Sequence, residues 1–240
     1  MDNEVPIVKE PEVVSVSDKT TKSQKFGTPQ AIVIAGLLIA LAVFVKAPSG
    51  QIIREGEQQT FNTKSIGVNT KKVAACIAEK DFKEKIDNMA KEAQAQGASG
   101  TPFSLVIGKN GAIAEIGGAL PLENAKTIID SVLNATGPLA GQKAYTFTQV
   151  TELDHIKGNM NADVVIVEYS DIECTFCKRF HKTMNEVVNS YGDKVAWVYR
   201  HFPLESIHKN ARPWAIESEC VAEIGGNESF WKYIDERFKD

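Results

Sequence analysis

One stretch narrows the folds open to this chain more than any other. Val164 to Tyr169 reads VVIVEY, and a short loop then leads into Cys174-Thr175-Phe176-Cys177 and a helical pattern to about Tyr191. An apolar run of this kind fits a central strand buried on both faces. Val195 to His201 reads as another strand. A cysteine at a helix start faces free backbone N–H groups and the positive end of the helix dipole. Both favour thiolate over thiol. Cys174 therefore reads as an exposed attacking thiol, and Cys177, one turn later, as the buried resolving thiol. Lys178 and Arg179 can help only from farther along the helix. A structural disulfide or half a zinc site would use the same spacing. Zinc needs a second ligand pair, and the remaining cysteines, Cys76 and Cys220, stand isolated in helical stretches.

Composition removes other classes. The 240 residues carry a net charge of −4, which gives no basic field for nucleic acid. Four cysteines in a chain of this length do not make a disulfide scaffold. Nothing in the pattern calls for a metal or an organic cofactor.

Residues 1–28 are polar and aperiodic and read as a disordered cytoplasmic tail. Ala31 to Val45 is apolar without interruption. Counted from 29 to 46 with its flanks, it approaches the ~20 residues of a membrane span. Lys19, Lys22 and Lys25 precede it, which places the N-terminus inside and the bulk of the chain outside. A single-pass anchor is the expectation; a cleaved signal peptide and a buried core helix are the other two readings. Residues 47–61 read as a linker.

From Asn69 the pattern becomes helical, with Asn69 or Thr70 as cap and Val73, Cys76 and Ile77 on one face. A second helix spans about Asp81 to Gln96, with Phe82, Ile86, Met89 and Ala93 as its stripe. Gly100-Thr101-Pro102 leads into a strand, Phe103 to Ile107. Asn110-Gly111 signals a hairpin, and the return strand runs from Ala112 to Ile116. Pro121 to Leu133 closes this portion, 62–137, as a helix. Residues 138–145 read as a second linker. The portion 146–240 opens with a short strand at about Thr146 to Thr151, and after Val195–His201 it predicts helices at His208 to Ala222 and from Glu228 onward.

VVIVEYSDIECTFCKRFH, VYRHFPL and HKNARPWAIESECVAE together resemble the DsbA-like thiol–disulfide oxidoreductases of the thioredoxin superfamily. The likeness covers residues 146–240. Thr175 departs from it, because many relatives carry proline there. The resemblance implies an α/β thioredoxin-like fold with a helical insertion. It also implies that Glu168 is a buried acid beneath Cys177, with a raised pKa, able to accept that thiol's proton. His181, His201 and His208 belong to the pattern and read as packing or helix-start residues. Phe176, Phe180 and Phe202 read as the apolar rim and core of the site.

Such a fold also needs a hairpin, a final helix and a cis-proline facing the cysteine pair, and nothing after Cys177 supplies them. Residues 62–137 do, and they resemble the C-terminal half of the same family. Thr101-Pro102 is then the expected cis peptide, with the Thr101 backbone pairing to a bound substrate strand. The halves stand in swapped order. This reads as a circular permutation closed by residues 138–145; a swapped dimer of incomplete copies and a remnant that does not fold are the alternatives. The resemblance further suggests a structural Cys76–Cys220 disulfide, against two buried free thiols. The implied activity is oxidation of cysteines in exported proteins, with reoxidation by a membrane redox partner. Reduction, isomerisation, or a non-catalytic tethered binding module built on Phe176 and Pro102 are the competing activities.

Overall fold

A computed structural model describes residues 61–239. The tail 1–28, the apolar run 29–46 and most of the linker 47–61 lie outside the described residues. Among the described residues, no helix is long and apolar enough to cross a membrane.

Five strands form one sheet: β1 (Phe103–Gly108), β2 (Ile113–Gly117), β3 (His155–Lys157), β4 (Val164–Ser170) and β5 (Val195–His201). Their spatial order is β2-β1-β4-β5-β3. β4 and β5 are parallel, and every other pairing is antiparallel. The helices are α1 (Thr70–Glu79), α2 (Lys83–Ala95), α3 (Leu122–Leu133), α4 (Thr175–Tyr191) and α5 (Ala211–Arg237). The β4–α4–β5 crossover is what a parallel pair requires.

The decisive pairing joins distant chain segments. β1 lies antiparallel to β4, with Ser104 opposite Glu168 and Phe103 opposite Tyr169. The hairpin β1–β2, written before the cysteine motif, thus extends the same sheet within one chain. Its turn is Asn110-Gly111, where Gly111 takes φ +85, a conformation that glycine enters without steric cost. The Asn110 amide donates to the carbonyls of Val132 and Ala135, which fastens the turn to the end of α3.

Two cores flank the sheet. On one face, Val106, Ile166, Trp197 and Tyr199 meet Ile129 of α3, Phe180 and Met184 of α4, and Phe230 of α5. On the other, Phe103, Leu105, Val167, Tyr169 and Val198 meet Ala93 of α2, Phe147 and Val150. Asn69 caps α1, its side chain accepting from the N–H groups of Lys71 and Lys72. A Cys76–Cys220 disulfide joins α1 to α5 across 144 positions of sequence. Closing so long a loop stabilises by about 2–4 kcal/mol.

Two expectations change. Thr146 to Thr151 is not a strand. Its backbone is held by side chains of α2: Thr148 N–H donates to Glu92 Oε2 at 2.7 Å, and the Gln96 amide brackets Thr146 through both its N–H and its carbonyl. The edge strand is β3 instead. Residues 138–145 do not hang free, since Gln142 Oε1 accepts from Ile113 N–H at 2.6 Å and Lys143 pairs with Glu115. They cover the outer edge of β2, which would otherwise offer unpaired backbone groups. The two expected C-terminal helices are present within α5, separated by a kink at Gly226 (φ 76, ψ −177), a non-helical conformation that only glycine tolerates. Just past the bend, the Asn227 side chain accepts from Ile156 N–H and donates to Ile156 O, closing the other edge of the sheet.

Candidate active site

Cys174 is the N-cap of α4, with extended backbone (φ −74, ψ 123) and no side chain capping that end. Cys177 sits inside the first turn, fully buried. Both are free thiols. Across from them lies the Thr101-Pro102 peptide, which is cis. Cys174 Sγ lies 3.6 Å from the Thr101 carbonyl oxygen. Pro102 is fixed in turn, because its carbonyl accepts from Gly118 N–H.

The sequence places Cys174 in the open, and here the structure differs. Cys174 is only 5% exposed, because the Thr101-Pro102 loop roofs it. Thr175 is exposed beside it, and Phe176 projects with 54% of its surface free. Arg179 stacks on the Phe176 ring, 4.7 Å from its centroid. Phe180 and Phe202 are core rather than rim.

The environment splits the two thiols. Cys174 is drawn down to about 5, first by the hydrogen bond with Cys177, against burial. The otherwise unpartnered Thr101 hydroxyl and the N–H groups of Cys177 and Phe176 add to the effect. Cys177 is pushed well up, chiefly by burial and then by Cys174 and Glu168. One cysteine is therefore a thiolate at neutral pH, and the other is a protonated thiol that donates to it.

Glu168 lies on β4 below the pair, 1% exposed, and burial raises it to about 7. Ser170 and Trp197 oppose the rise. Glu168 Oε2, Ser104 Oγ, Ser170 Oγ, Trp197 Nε1 and Tyr199 OH are all buried without a hydrogen-bond partner. The strand register sets Ser104 and Tyr199 directly beside Glu168. A carboxyl here is half protonated near neutral pH and can trade a proton with Cys177.

Asp171, which the motif reading passed over, organises the β4–α4 turn. Its N–H donates to Cys177 Sγ at 3.4 Å, and its carbonyl accepts from Cys174 N–H at 3.1 Å. Its carboxylate accepts from the N–H groups of Glu173 and Leu204 and from His208 Nδ1, each at 2.8 Å. The only sequence hint is an acid three residues ahead of the first cysteine.

Among the described residues, one cluster has metal-ligand chemistry: His155, His201 and Glu219. Both imidazole Nε2 atoms sit on Glu219 Oε1, at 3.1 and 3.2 Å, while Lys85 Nζ holds Oε2 at 2.7 Å. The carboxylate charge is already met by protein, and the cluster reads as a core network tying α5 to β3, β5 and α2. His181 is likewise a core residue, bonded to Asp235. Cys76 and Cys220 stay in their bridge between α1 and α5 and belong to the scaffold rather than to the site.

Residues 150–240 match the protein family described as Thioredoxin. That span contains the cysteine pair, Glu168, and the β4–α4–β5 unit that carries them. Over this span the chain is similar to the thioredoxin family. Among solved structures, the Pseudomonas aeruginosa DsbA2 crystal structure is 36% identical, with a TM-score of 0.34, covering 36% of this chain and 48% of that one. Among curated proteins, the Na(+)/H(+) antiporter NhaA 1 of Mycolicibacterium vanbaalenii is 42% identical over 85 residues, 35% of this chain and 13% of that protein. NhaA 1 of Mycolicibacterium gilvum is 41% identical over 87 residues, 36% of this chain and 14% of its own. The chain spans about an eighth of the length of the curated relatives it matches.

Proposed function

We propose that this protein is a membrane-anchored, extracytoplasmic thiol–disulfide oxidoreductase that oxidises cysteines of exported proteins. One observation carries the reading: an acidified Cys174 lies against the cis Thr101-Pro102 loop, with a protonated Cys177 behind it.

In the oxidising direction, a substrate thiolate attacks Cys174 of the Cys174–Cys177 disulfide. The S–S bond breaks, a mixed disulfide forms at Cys174, and Cys177 leaves and takes up a proton with Glu168 as donor. A second substrate thiolate then attacks the substrate sulfur and expels Cys174 as thiolate. The substrate loses two electrons and gains a disulfide; the protein holds those electrons as its dithiol until a membrane redox partner removes them. A low-pKa leaving thiol speeds the release step and stabilises the reduced protein, which makes the pair a stronger oxidant. The Thr101 backbone and the Phe176 ring offer a substrate strand one polar edge and one apolar one.

Two further features complete the proposal. The anchor rests on the apolar run 31–45 and the lysines before it. The circular permutation rests on β1–β2 and α3 preceding the cysteine motif while completing its sheet, with 138–145 as the join.

The test uses the purified chain, oxidised, mixed with a reduced two-cysteine peptide. Disulfide transfer at a rate well above background is expected, and Cys174→Ser abolishes it. Transfer by the unaltered protein no faster than background would leave only a tethered binding module. Equilibration with glutathione sets the direction: a potential close to thioredoxin's, about −270 mV, would instead make the protein a reductase.

A further inference from the structure

The stabilisers of the Cys174 thiolate described above are all neutral: a thiol, a hydroxyl and backbone N–H groups. On the helix itself, Lys178 Nζ donates to the Lys239 carbonyl and Arg179 lies on Phe176. A candidate full charge comes from another segment, the loop after β5. There His208 Nδ1 donates to Asp171 Oδ2 at 2.8 Å, with the histidine side chain still 21% exposed.

This loop is fastened to the cysteine turn at several points. Leu204 N–H donates to the same Asp171 carboxylate, and Phe202 N–H donates to the Ser170 carbonyl. Asn210 gives both its N–H and its side-chain amide to Glu173. The Asp171 backbone in turn touches both cysteines. His208 therefore has little freedom to leave the site. The ionisable groups facing it are Asp171 and Glu173 from the turn and Cys174 at the start of α4. Burial pulls its pKa down, but Asp171 first, then Cys174 and Glu173, outweigh that and leave it raised. The favour is mutual, since two charges that stabilise each other do so equally in both directions.

We propose that His208, clamped by Asp171, is a positioning residue whose imidazolium stabilises the Cys174 thiolate and so sets the oxidising strength of the pair. The proposal rests on the redox reading of Cys174 and Cys177. It assigns to a distant loop the cationic help that Thr175 and Phe176, between the cysteines, cannot give. As pH rises through the raised His208 pKa, the imidazolium discharges and the thiolate loses this support.

The experiment titrates thiolate absorbance at 240 nm in the reduced full-length chain, for wild type, His208→Gln and His208→Lys, with thermal melts alongside. An opposite charge close to a titrating group moves its pKa by ~1 unit. His208→Gln is expected to raise the Cys174 midpoint by that much and to shift the glutathione equilibrium toward the protein disulfide by up to about tenfold. His208→Lys, which keeps the charge, is expected to return most of the shift. An unchanged midpoint in His208→Gln overturns the proposal. So does an equal rise in both variants, which would mean loss of packing rather than of charge. A wild-type chain with a low Cys174 midpoint but no disulfide transfer would defeat the oxidase reading and leave this one standing.

Discussion

The two faces of the sheet treat buried polar groups in opposite ways. Behind the sheet, under α2, Arg200 is 3% exposed and fully engaged. Its guanidinium grips Asp154 with two bonds, 2.9 and 3.2 Å, and also pairs with Glu92. Glu92 further accepts from Tyr169 OH and from Thr148. In front, beneath Cys177, no cation among the described residues pairs with Glu168, which stands among hydroxyls that lack partners. The first arrangement satisfies its charges and holds the 143–154 segment in place. The second leaves a carboxyl whose proton is loosely held, as proton exchange with a thiol needs. Burial alone does not mark a functional acid; burial without a partner does.

Three changes would break or sharpen that contrast. The largest effect belongs to Arg200→Met. It strands two buried carboxylates, and a loss of about 3–5 kcal/mol in denaturant unfolding is expected, with the Cys174 midpoint unmoved. Next is Glu168→Gln. The folded pKa of Glu168 is raised, so its stabilising share is intact at low pH and is lost as pH climbs through about 7. The variant should match wild type near pH 4 and exceed it by up to about 3 kcal/mol at pH 8. Its disulfide exchange should nonetheless be slower; a variant no more stable at pH 8 would mean that the acid has a partner after all. The smallest effect comes from a matched pair. Tyr169→Phe removes a bond to a carboxylate and should cost about 1.5–3 kcal/mol, whereas Tyr199→Phe removes an unpartnered hydroxyl and should cost nothing. Equal melting temperatures for the two would erase the contrast.

The α/β thioredoxin-like architecture was legible because its signals are local. VVIVEY, the cysteine spacing and Asn110-Gly111 each specify their own element, and Cys174 at the start of α4 follows from them. What escaped depends on side chains from far along the chain. Thr146–Thr151 has strand composition, yet Glu92 and Gln96 claim its backbone from α2, and no periodicity reports that. The burial of Cys174 follows from a roof more than seventy positions earlier in sequence. Asp171 and the His155–Glu219–His201 network are invisible for the same reason. A lone acid or histidine carries no mark of what it meets.

The order of the strands has a consequence for synthesis. β1 leaves the ribosome well before β4, and it pairs with β4 some sixty residues later. Until then the hairpin exposes a naked edge, a hazard for wayward association and a natural place for a chaperone to hold the nascent chain. The same delay is a safeguard. Before the roof and the helix start meet, Cys174 and Cys177 are two ordinary cysteines, and their reactivity switches on only when the molecule is whole.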